Sequence, residues 1–354
     1  MRNNLLNLVE GYMVKTKIIC TIGPASNNYS ALRKMMLVGM DVARLNFSHG
    51  KLAQHAKVIN MVRTLNKKYS RRLRILGDLE GYRIRIGKLK KEVILKKRQT
   101  LLLSSDATLC GKGAIPFDYE GPISDIKNGS FVYIDDGNIA LKVKSRSKGC
   151  LQTEVIIPGV LKEHKGINIP DIKLRFSGLT DKDKKDIEFS VKNKVDYIAQ
   201  SFVRNKKDIL SFRDFVKDRL PNCKIIAKIE NREGIKNIDE IIAVSDGIMI
   251  ARGDMGVSLP IYEIAVIQKM IIRKCNRMKK FVITATQMLE SMTENLRPTR
   301  SEVTDIANAL LDGSDYLMLS AETAAGKHPV ESVNMMNQII KFTETHAKDI
   351  DTHY

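Results

Sequence analysis

The chain of 354 residues is long enough for one large domain or two to three smaller ones, and its 43% hydrophobic and 28% charged residues are ordinary for a globular protein. No apolar run reaches the roughly 18 residues that a membrane span requires, so we expect no membrane association. The formal net charge is +19, but the lysines are spread along the chain and Trp is absent, which favours a solvated basic surface over nucleic-acid binding.

The amino-terminal segment and the cysteines bear on the cellular compartment. Residues 1–13 lack a convincing apolar core and a cleavage site, so we expect a frayed extension rather than a secretory signal, with Met1 or Met13 as the start. The five cysteines are scattered without a CxxC pair, which argues against a disulfide framework and a zinc site. We therefore expect a cytoplasmic protein.

Short apolar runs rich in β-branched residues recur along the chain, each followed by a helical pattern. Strands that alternate with helices predict a parallel sheet, and eight such units are the number that closes a (β/α)₈ barrel. We expect this α/β barrel to comprise 14–81 and 166–345. The runs are KIICTIG (17–23), DVARLNF (41–47), RLRILGDL (72–79), VDYIAQSF (195–202), KIIAKIE (224–230), GIMIARGD (247–254), FVITATQ (281–287) and DYLMLSAE (315–322).

The stretch 82–165 interrupts this alternation between the third and fourth runs. It contains short strand-like segments separated by turns, among them the hairpin signal IDDGN. We expect a small all-β domain, inserted after the third strand, that serves as a lid over the barrel mouth.

Polar side chains stand at the carboxyl ends of the predicted strands. Residues two apart on a strand share a face, and the strand ends of a barrel converge on one mouth, where barrel enzymes carry their active sites. Buried charges cost free energy unless they are paired or bind a ligand, so this concentration indicates a binding site. The residues are Arg44, Asn46, Ser48, Asp78, Lys228, Glu230, Arg252, Asp254, Thr284, Thr286, Ser320 and Glu322.

The segments AKIEN and ARGDMG offer charge stabilisation and metal binding. Lys228 can stabilise negative charge that develops on an oxygen, and Glu230 with Asp254 on the next strand forms a typical carboxylate pair for Mg²⁺. Gly253 lets the backbone approach a ligand. The structural alternative is a Lys228–Glu230 ion pair that only ties strands together.

The segments RLNFSHG and GDLEGYRIRIG offer groups that bind anions. Arg44 is a natural fork for a phosphate group, whereas His49 is either a phosphate contact or a cap. Arg83 and Arg85 share a face beyond Asp78, where they form either a phosphate site or a plain salt-bridge cluster.

Together these segments resemble the pyruvate kinase family. The strings KIICTIGPAS, DVARLNFSHG, HKGINIP, KIIAKIENREG, DGIMIARGDMGV, FVITATQMLESM and RPTRSEVTDIANALLDGSDYLMLSAETAAGKHPVESV are similar to family signatures and occur in the family's order. The resemblance implies a (β/α)₈ barrel with an inserted β-domain lid. It also implies transfer of a phosphoryl group from phosphoenolpyruvate to ADP, which gives pyruvate and ATP in the last step of glycolysis.

The resemblance further implies roles for individual residues. Glu230 and Asp254 would hold Mg²⁺ (or Mn²⁺), which together with Lys228 would stabilise the enolate of pyruvate. The implied sets are Arg44, Lys228 and Thr286 for catalysis; Arg44, Lys228, Gly253, Asp254 and Thr286 for substrate binding; Asn46, Phe47, Ser48, His49, Arg85 and Lys165 for nucleotide binding; and Ser320 and Glu322, with Thr286, for proton relay.

Two departures from the family pattern concern the phosphate and potassium sites. Glu80 stands where the family has Lys or Gln, and Tyr82 where it has Pro, so we expect an acid near the phosphate to lower activity. Potassium-dependent members carry Thr and Glu where this chain has Leu79 and Arg83. The chain is similar instead to the potassium-independent branch, and we predict that Arg83 supplies the positive charge in place of K⁺. The family K⁺ site would comprise Asn46, Ser48, Asp78 and Leu79.

A third departure is length, because the family normally continues into a carboxyl-terminal domain and this chain ends at Tyr354. We expect that domain to be absent, and a homo-oligomer smaller than or different from the family tetramer that does not respond to sugar phosphates. Two rivals stay open: a Mg²⁺-dependent aldolase or lyase acting on pyruvate enolate, and a decayed barrel retained as a binding or scaffold protein. ADP-dependent formation of pyruvate separates them from a kinase.

Overall fold

The computed structural model describes residues 14–105, 113–135, 137–147, 149–170 and 179–347. The predicted extension 1–13 lies outside the described residues, as does Cys110. The described residues form two compact units. The barrel unit comprises those up to Glu80, Thr180–Arg252 and those from Ala265 onward, and the β unit comprises those within Gly81–Leu179 and Gly253–Ile264.

Strands occur in both units. In chain order they are β1 (Lys17–Thr21), β2 (Met40–Asn46), β3 (Arg74–Asp78), β4 (Val93–Leu95), β5 (Thr100–Ser104), β6 (Ile115–Pro116), β7 (Phe131–Ile134), β8 (Ile139–Ser147), β9 (Cys150–Ile157), β10 (Gly159–Leu161), β11 (Ile167–Asn168), β12 (Tyr197–Gln200), β13 (Lys224–Ile229), β14 (Gly247–Ala251), β15 (Phe281–Ala285) and β16 (Tyr316–Leu319).

Helices follow the strands of the barrel unit. In chain order they are α1 (Tyr29–Val38), α2 (Leu52–Tyr69), α3 (Asp181–Lys192), α4 (Lys206–Val216), α5 (Arg232–Lys236), α6 (Ile238–Val244), α7 (Arg252–Ser258), α8 (Ile264–Arg277), α9 (Arg300–Leu311), α10 (Ala321–Ala324) and α11 (Pro329–His346). No helix in the described part of the chain is long and apolar enough to cross a membrane.

Eight parallel strands close into a barrel in the order β1-β16-β15-β14-β13-β12-β3-β2. Each of the eight predicted apolar runs supplies one of these strands, and helices stand between consecutive strands in the order the sequence pattern predicts. The predicted (β/α)₈ barrel is therefore confirmed.

Apolar side chains at alternating strand positions fill the inside of the barrel, among them Ile19, Val42, Leu76, Ile226 and Met318. Because the side-chain period of a strand is two, the next inward position lies two residues further toward the carboxyl end. At six of the eight strands that position is polar. We call this set the mouth ring: Thr21, Arg44, Asp78, Ser201, Lys228 and Ser320.

One predicted mouth residue is wrong. Ile283 and Ala285 belong to the inner core, so Thr284 between them lies on the outer face of β15. Its hydroxyl is fully buried there, 2.8 Å from the Ser314 hydroxyl.

Aspartates fix the strand starts at the opposite end of the barrel. Four of these carboxylates accept the backbone N–H of a residue on the adjacent strand, at 2.8–2.9 Å. The contacts tie neighbouring strands together and so set their register. The pairs are Asp41 with Ile18, Asp196 with Ile75, Asp246 with Ile225 and Asp315 with Val282.

The β unit contains a six-stranded sheet in the order β11-β7-β8-β9-β5-β6 and a two-stranded sheet of β10 and β4. In the predicted IDDGN hairpin, β7 and β8 pair antiparallel with Ile134 opposite Ile139. A separate apolar cluster, including Leu103, Leu141 and Val155, forms the core of this unit. The inserted all-β fold is thus as predicted.

The cysteines depart from expectation at one position. Cys20, Cys223 and Cys275 are free and buried. Cys150 is disulfide-bonded, which the scattered cysteine spacing did not predict.

Candidate active site

Four charged side chains form a buried cluster at the carboxyl ends of β2, β3 and β13. Arg44 donates from Nε to Asp78 Oδ2 at 2.6 Å, and Lys228 Nζ lies 3.1 Å from both Asp78 Oδ1 and Glu230 Oε1. Glu230 and Asp78 are at most 1% exposed, and each cation is 8% exposed. The structure therefore brings together four residues that the sequence placed at three different strand ends.

The cluster is electrically balanced. Burial opposes ionisation of Asp78, but Lys228 and Arg44 outweigh it and hold the pKa of this carboxyl below its ordinary value. Two acidic and two basic side chains share the site, so the repulsion between the two basic groups is opposed by their acidic partners. Arg44 also donates from Nη1 to the Thr21 hydroxyl at 2.8 Å, which fixes the guanidinium.

Ser201 contacts this cluster, and the sequence motifs did not predict it. The Lys228 ammonium donates to its hydroxyl at 2.6 Å, and the hydroxyl donates to the Leu79 carbonyl at 2.7 Å. Because that carbonyl takes its only proton, the hydroxyl must accept from Lys228. Strand alternation could have found Ser201, since it lies two residues beyond the inward-facing Ala199.

Glu230 is fully buried, and its second oxygen accepts the Phe202 backbone N–H at 2.5 Å. The Lys228–Glu230 ion pair, the structural alternative, is present. A carboxylate beside an ammonium at a strand end still offers hard oxygen donors, so its chemistry fits Mg²⁺.

Asp254 and Gly253 belong to the β unit, as does Arg83. Arg83 Nη2 lies 3.5 Å from Asp254 Oδ1, and the two side chains are 29% and 30% exposed. A Cβ on Gly166 would lie 2.4 Å from Arg83 Nε, so the guanidinium packs directly on the backbone there. Arg83 thus places a fixed positive charge beside a predicted metal ligand.

The predicted nucleotide residues of the barrel unit form a tight turn after β2. Asn46 Oδ1 accepts the Ser48 backbone N–H at 3.1 Å, and the His55 ring nitrogen lies 3.0 Å from the His49 carbonyl. Burial lowers the pKa of His55, which favours the neutral ring over the charged one. Phe47 is buried and packs edge-on against the His55 ring.

Glu80 is accompanied by a cation that the sequence did not indicate. Lys182 Nζ lies 3.4 Å from Glu80 Oε2 and 2.8 Å from Asp186 Oδ2, and it donates to the Phe47 carbonyl at 2.5 Å. The expected repulsion by Glu80 is therefore offset locally by Lys182, which also holds the turn after β2.

The other predicted nucleotide residues, Arg85 and Lys165, lie together in the β unit. Arg85 pairs with Gly166 in an antiparallel bridge and donates from Nη1 to the His164 carbonyl at 3.0 Å. Lys165 Nζ lies 2.7 Å from Asp135 Oδ1.

The predicted proton-relay residues follow β15 and β16, Thr286 after the first and Ser320 and Glu322 after the second. Glu322 is fully buried and accepts the backbone N–H of Ser320 at 2.6 Å and of Leu289 at 3.0 Å. Its carboxylate therefore joins the turn that carries Thr286 to the end of β16. Thr286 has a positive φ of 75°, which breaks the strand alternation at this point.

The chain forms a closed (β/α)₈ barrel with an all-β insertion after its third strand. A buried charge cluster lies at the carboxyl ends of the strands, which is where barrel enzymes carry their active sites. A family model described as the barrel domain of pyruvate kinase matches residues 13–333. The chain belongs to the pyruvate kinase family.

Several named pyruvate kinases are similar to this chain. That of Staphylococcus epidermidis is 45% identical over 330 residues, or 92% of this chain and 56% of the relative. That of Geobacillus stearothermophilus is 47% identical over 93% of this chain and 57% of the relative. For that of Thermococcus litoralis the values are 45%, 95% and 71%. The chain thus spans little more than half the length of the first two.

The family binds phosphoenolpyruvate and ADP or ATP and generally uses Mg²⁺ and K⁺. Among the predicted residues, the structure groups Arg44, Asp78, Lys228 and Glu230 in one cluster and the segments of Thr286, Ser320 and Glu322 in another.

Proposed function

We propose that this chain transfers a phosphoryl group from phosphoenolpyruvate to ADP, in the cytoplasm, as the last step of glycolysis. The observation that supports this most is the Arg44–Asp78–Lys228–Glu230 cluster, since it fixes two cations at the mouth of a family barrel. Phosphoryl transfer depends mainly on positioning and charge neutralisation, and preorganised cations supply both.

In this proposal the phosphorus–oxygen bond of phosphoenolpyruvate breaks while a terminal oxygen of ADP bonds to the phosphorus. Arg44 binds the phosphoryl oxygens. The electron pair of the broken bond stays on the enolate oxygen, where the Lys228 ammonium stabilises it. Thr286, with Ser320 and Glu322, then delivers a proton to the methylene carbon, which gives pyruvate.

Glu230 and Asp254 would hold Mg²⁺ (or Mn²⁺), for which their carboxylate oxygens are suitable donors. When bound, the ion would supply positive charge that offsets the negative charge of the phosphoryl and enolate oxygens. Gly253 and Thr286 would bind the substrate carboxylate. Asn46, Phe47, Ser48, His49, Arg85 and Lys165 would contact the nucleotide phosphates.

We propose that Arg83 replaces the K⁺ that the family generally uses at Asn46, Ser48, Asp78 and Leu79. The fixed position of its guanidinium beside Asp254 supports this. We expect equal turnover in K⁺ and in tetramethylammonium buffers at the same ionic strength. Strong activation by K⁺ would contradict the replacement.

The proposed function is tested by following pyruvate and ATP formation from phosphoenolpyruvate, with and without ADP, in the presence of Mg²⁺. We expect equal amounts of pyruvate and ATP, and no pyruvate when ADP is omitted. Pyruvate formed without ADP would favour a lyase. A folded protein without turnover would favour the scaffold alternative.

A further inference from the structure

Arg252 follows β14 directly, and its guanidinium binds backbone carbonyl groups of the turn that carries Thr286. Its Nη2 donates to the Thr286 carbonyl at 2.8 Å and lies 3.3 Å from the Gln287 carbonyl. Its Nε lies 3.2 Å from the Thr286 carbonyl and 3.3 Å from the Ala285 carbonyl. One guanidinium therefore binds three consecutive carbonyl groups.

These carbonyls belong to a turn whose backbone conformation is unfavourable for its residues. Thr286 and Gln287 have φ values of 75° and 56°, and a β-branched residue such as Thr rarely adopts positive φ. Such a backbone persists only where the surroundings determine it. Here the carbonyls bind Arg252, while the Leu289 N–H that follows binds Glu322.

Asp305 on α9 fixes the guanidinium from the other side. Arg252 Nη1 donates to its two carboxylate oxygens at 2.9 and 2.7 Å. The Arg252 side chain is only 11% exposed, so water cannot substitute for most of these contacts. A lysine carries a single nitrogen and cannot bind three carbonyls and a carboxylate in this fixed arrangement.

We propose that Arg252 is a positioning residue that holds Thr286 in place for its role at the substrate, with Asp305 as its support. The inference rests on the proposed function, because it assigns Arg252 an effect on turnover through Thr286. Arg252 itself touches no reacting atom in this account. A misplaced proton donor slows the chemical step without removing nucleotide contacts, so the effect falls on kcat and not on KM for ADP.

The test is a double-mutant cycle of Arg252→Lys and Thr286→Ala, measured as kcat for phosphoenolpyruvate and ADP. We expect Arg252→Lys to lower kcat by about 10- to 100-fold in the wild-type background. In the Thr286→Ala background it should change kcat less than about twofold, because the residue it positions is gone. Equal effects in the two backgrounds, or a change confined to KM for ADP, would overturn the proposal.

Arg213→Lys is the matched control. Arg213 also binds a carbonyl, that of Val244, and a carboxylate, that of Asp246, each at 2.9 Å, but at the opposite end of the barrel. We expect this variant to keep its kcat. An equal loss in Arg213→Lys would show that the effect of Arg252→Lys is merely structural.

Hydrogen exchange of a peptide covering residues 284–292 provides a readout that needs no activity. We expect faster exchange in Arg252→Lys than in wild type, and none of this change in Arg213→Lys. Unchanged exchange in Arg252→Lys would overturn the proposal. If the wild type shows no ADP-dependent turnover, the proposed function fails, and the exchange experiment still decides whether Arg252 holds the turn.

Discussion

Replacing Asp78 by Asn probes the balance of charge at the mouth of the barrel. The change keeps the size of the side chain but removes the anion that Arg44 and Lys228 share. A hydrogen bond to a charged group contributes about 1.5–3 kcal/mol, and removing one partner of a buried ion pair costs about 3–5 kcal/mol. Since Glu230 still faces Lys228 and the amide oxygen can still accept from Arg44, we expect a loss near the lower limit, about 3 kcal/mol.

The loss is measured by urea denaturation followed by far-UV circular dichroism, with Asp214→Asn as the control. Asp214 pairs with Lys217 on the surface and is 71% exposed, so its replacement should leave the urea midpoint unchanged. A loss in Asp78→Asn below about 1 kcal/mol at neutral pH would refute the reasoning.

The same pair of proteins gives a pH test. The pKa of Asp78 in the folded protein is lowered from 3.8, so its stabilisation is fully present above pH 3.8 and is lost as the pH falls through the lower folded value. The difference in stability between wild type and Asp78→Asn should therefore be constant near neutrality and shrink in strong acid. A difference that grows as the pH falls would contradict the ionised state of Asp78.

Two further substitutions test contacts that the motifs did not indicate. Ser201→Ala should lower kcat by about tenfold, because the Lys228 ammonium loses an acceptor. Steady-state kinetics checks this, with Ser190→Ala as the control, since that variant also loses a buried hydroxyl. An unchanged kcat in Ser201→Ala would refute the prediction. Lys182→Met should raise KM for ADP several-fold, because the Phe47 carbonyl loses its donor and Glu80 loses its nearby cation. Adding Glu80→Gln should recover part of that loss; an unaltered KM in Lys182→Met would contradict the role of Lys182.

Much of the barrel could be predicted because its strands are short, apolar and β-branched. The same alternation that filled the core with Val42, Leu76 and Ile226 also placed Arg44, Asp78 and Lys228 two residues further on. The sequence alone therefore predicts these members of the cluster.

The remaining features depend on contacts between distant parts of the chain. Lys182 forms an ion pair with Glu80 from a helix about a hundred residues further along the chain, and no local sequence pattern predicts that pair. The prediction for Thr284 is wrong because it extends the strand alternation through Thr286, where a positive φ ends the strand geometry. The sequence pattern could not predict the carbonyl contacts of Arg252 either, since a backbone turn has no sequence periodicity.

The most direct test of the account is kcat for phosphoenolpyruvate and ADP in Lys228→Met compared with Lys224→Met. Both lysines belong to β13, but the Lys224 side chain is 55% exposed at the opposite end of the strand. We expect Lys228→Met to lose at least about 100-fold in kcat, as when a group that stabilises developing charge is removed, and Lys224→Met to match wild type. Turnover in a folded Lys228→Met protein equal to that of Lys224→Met would contradict the assignment of the cluster as the site of phosphoryl transfer.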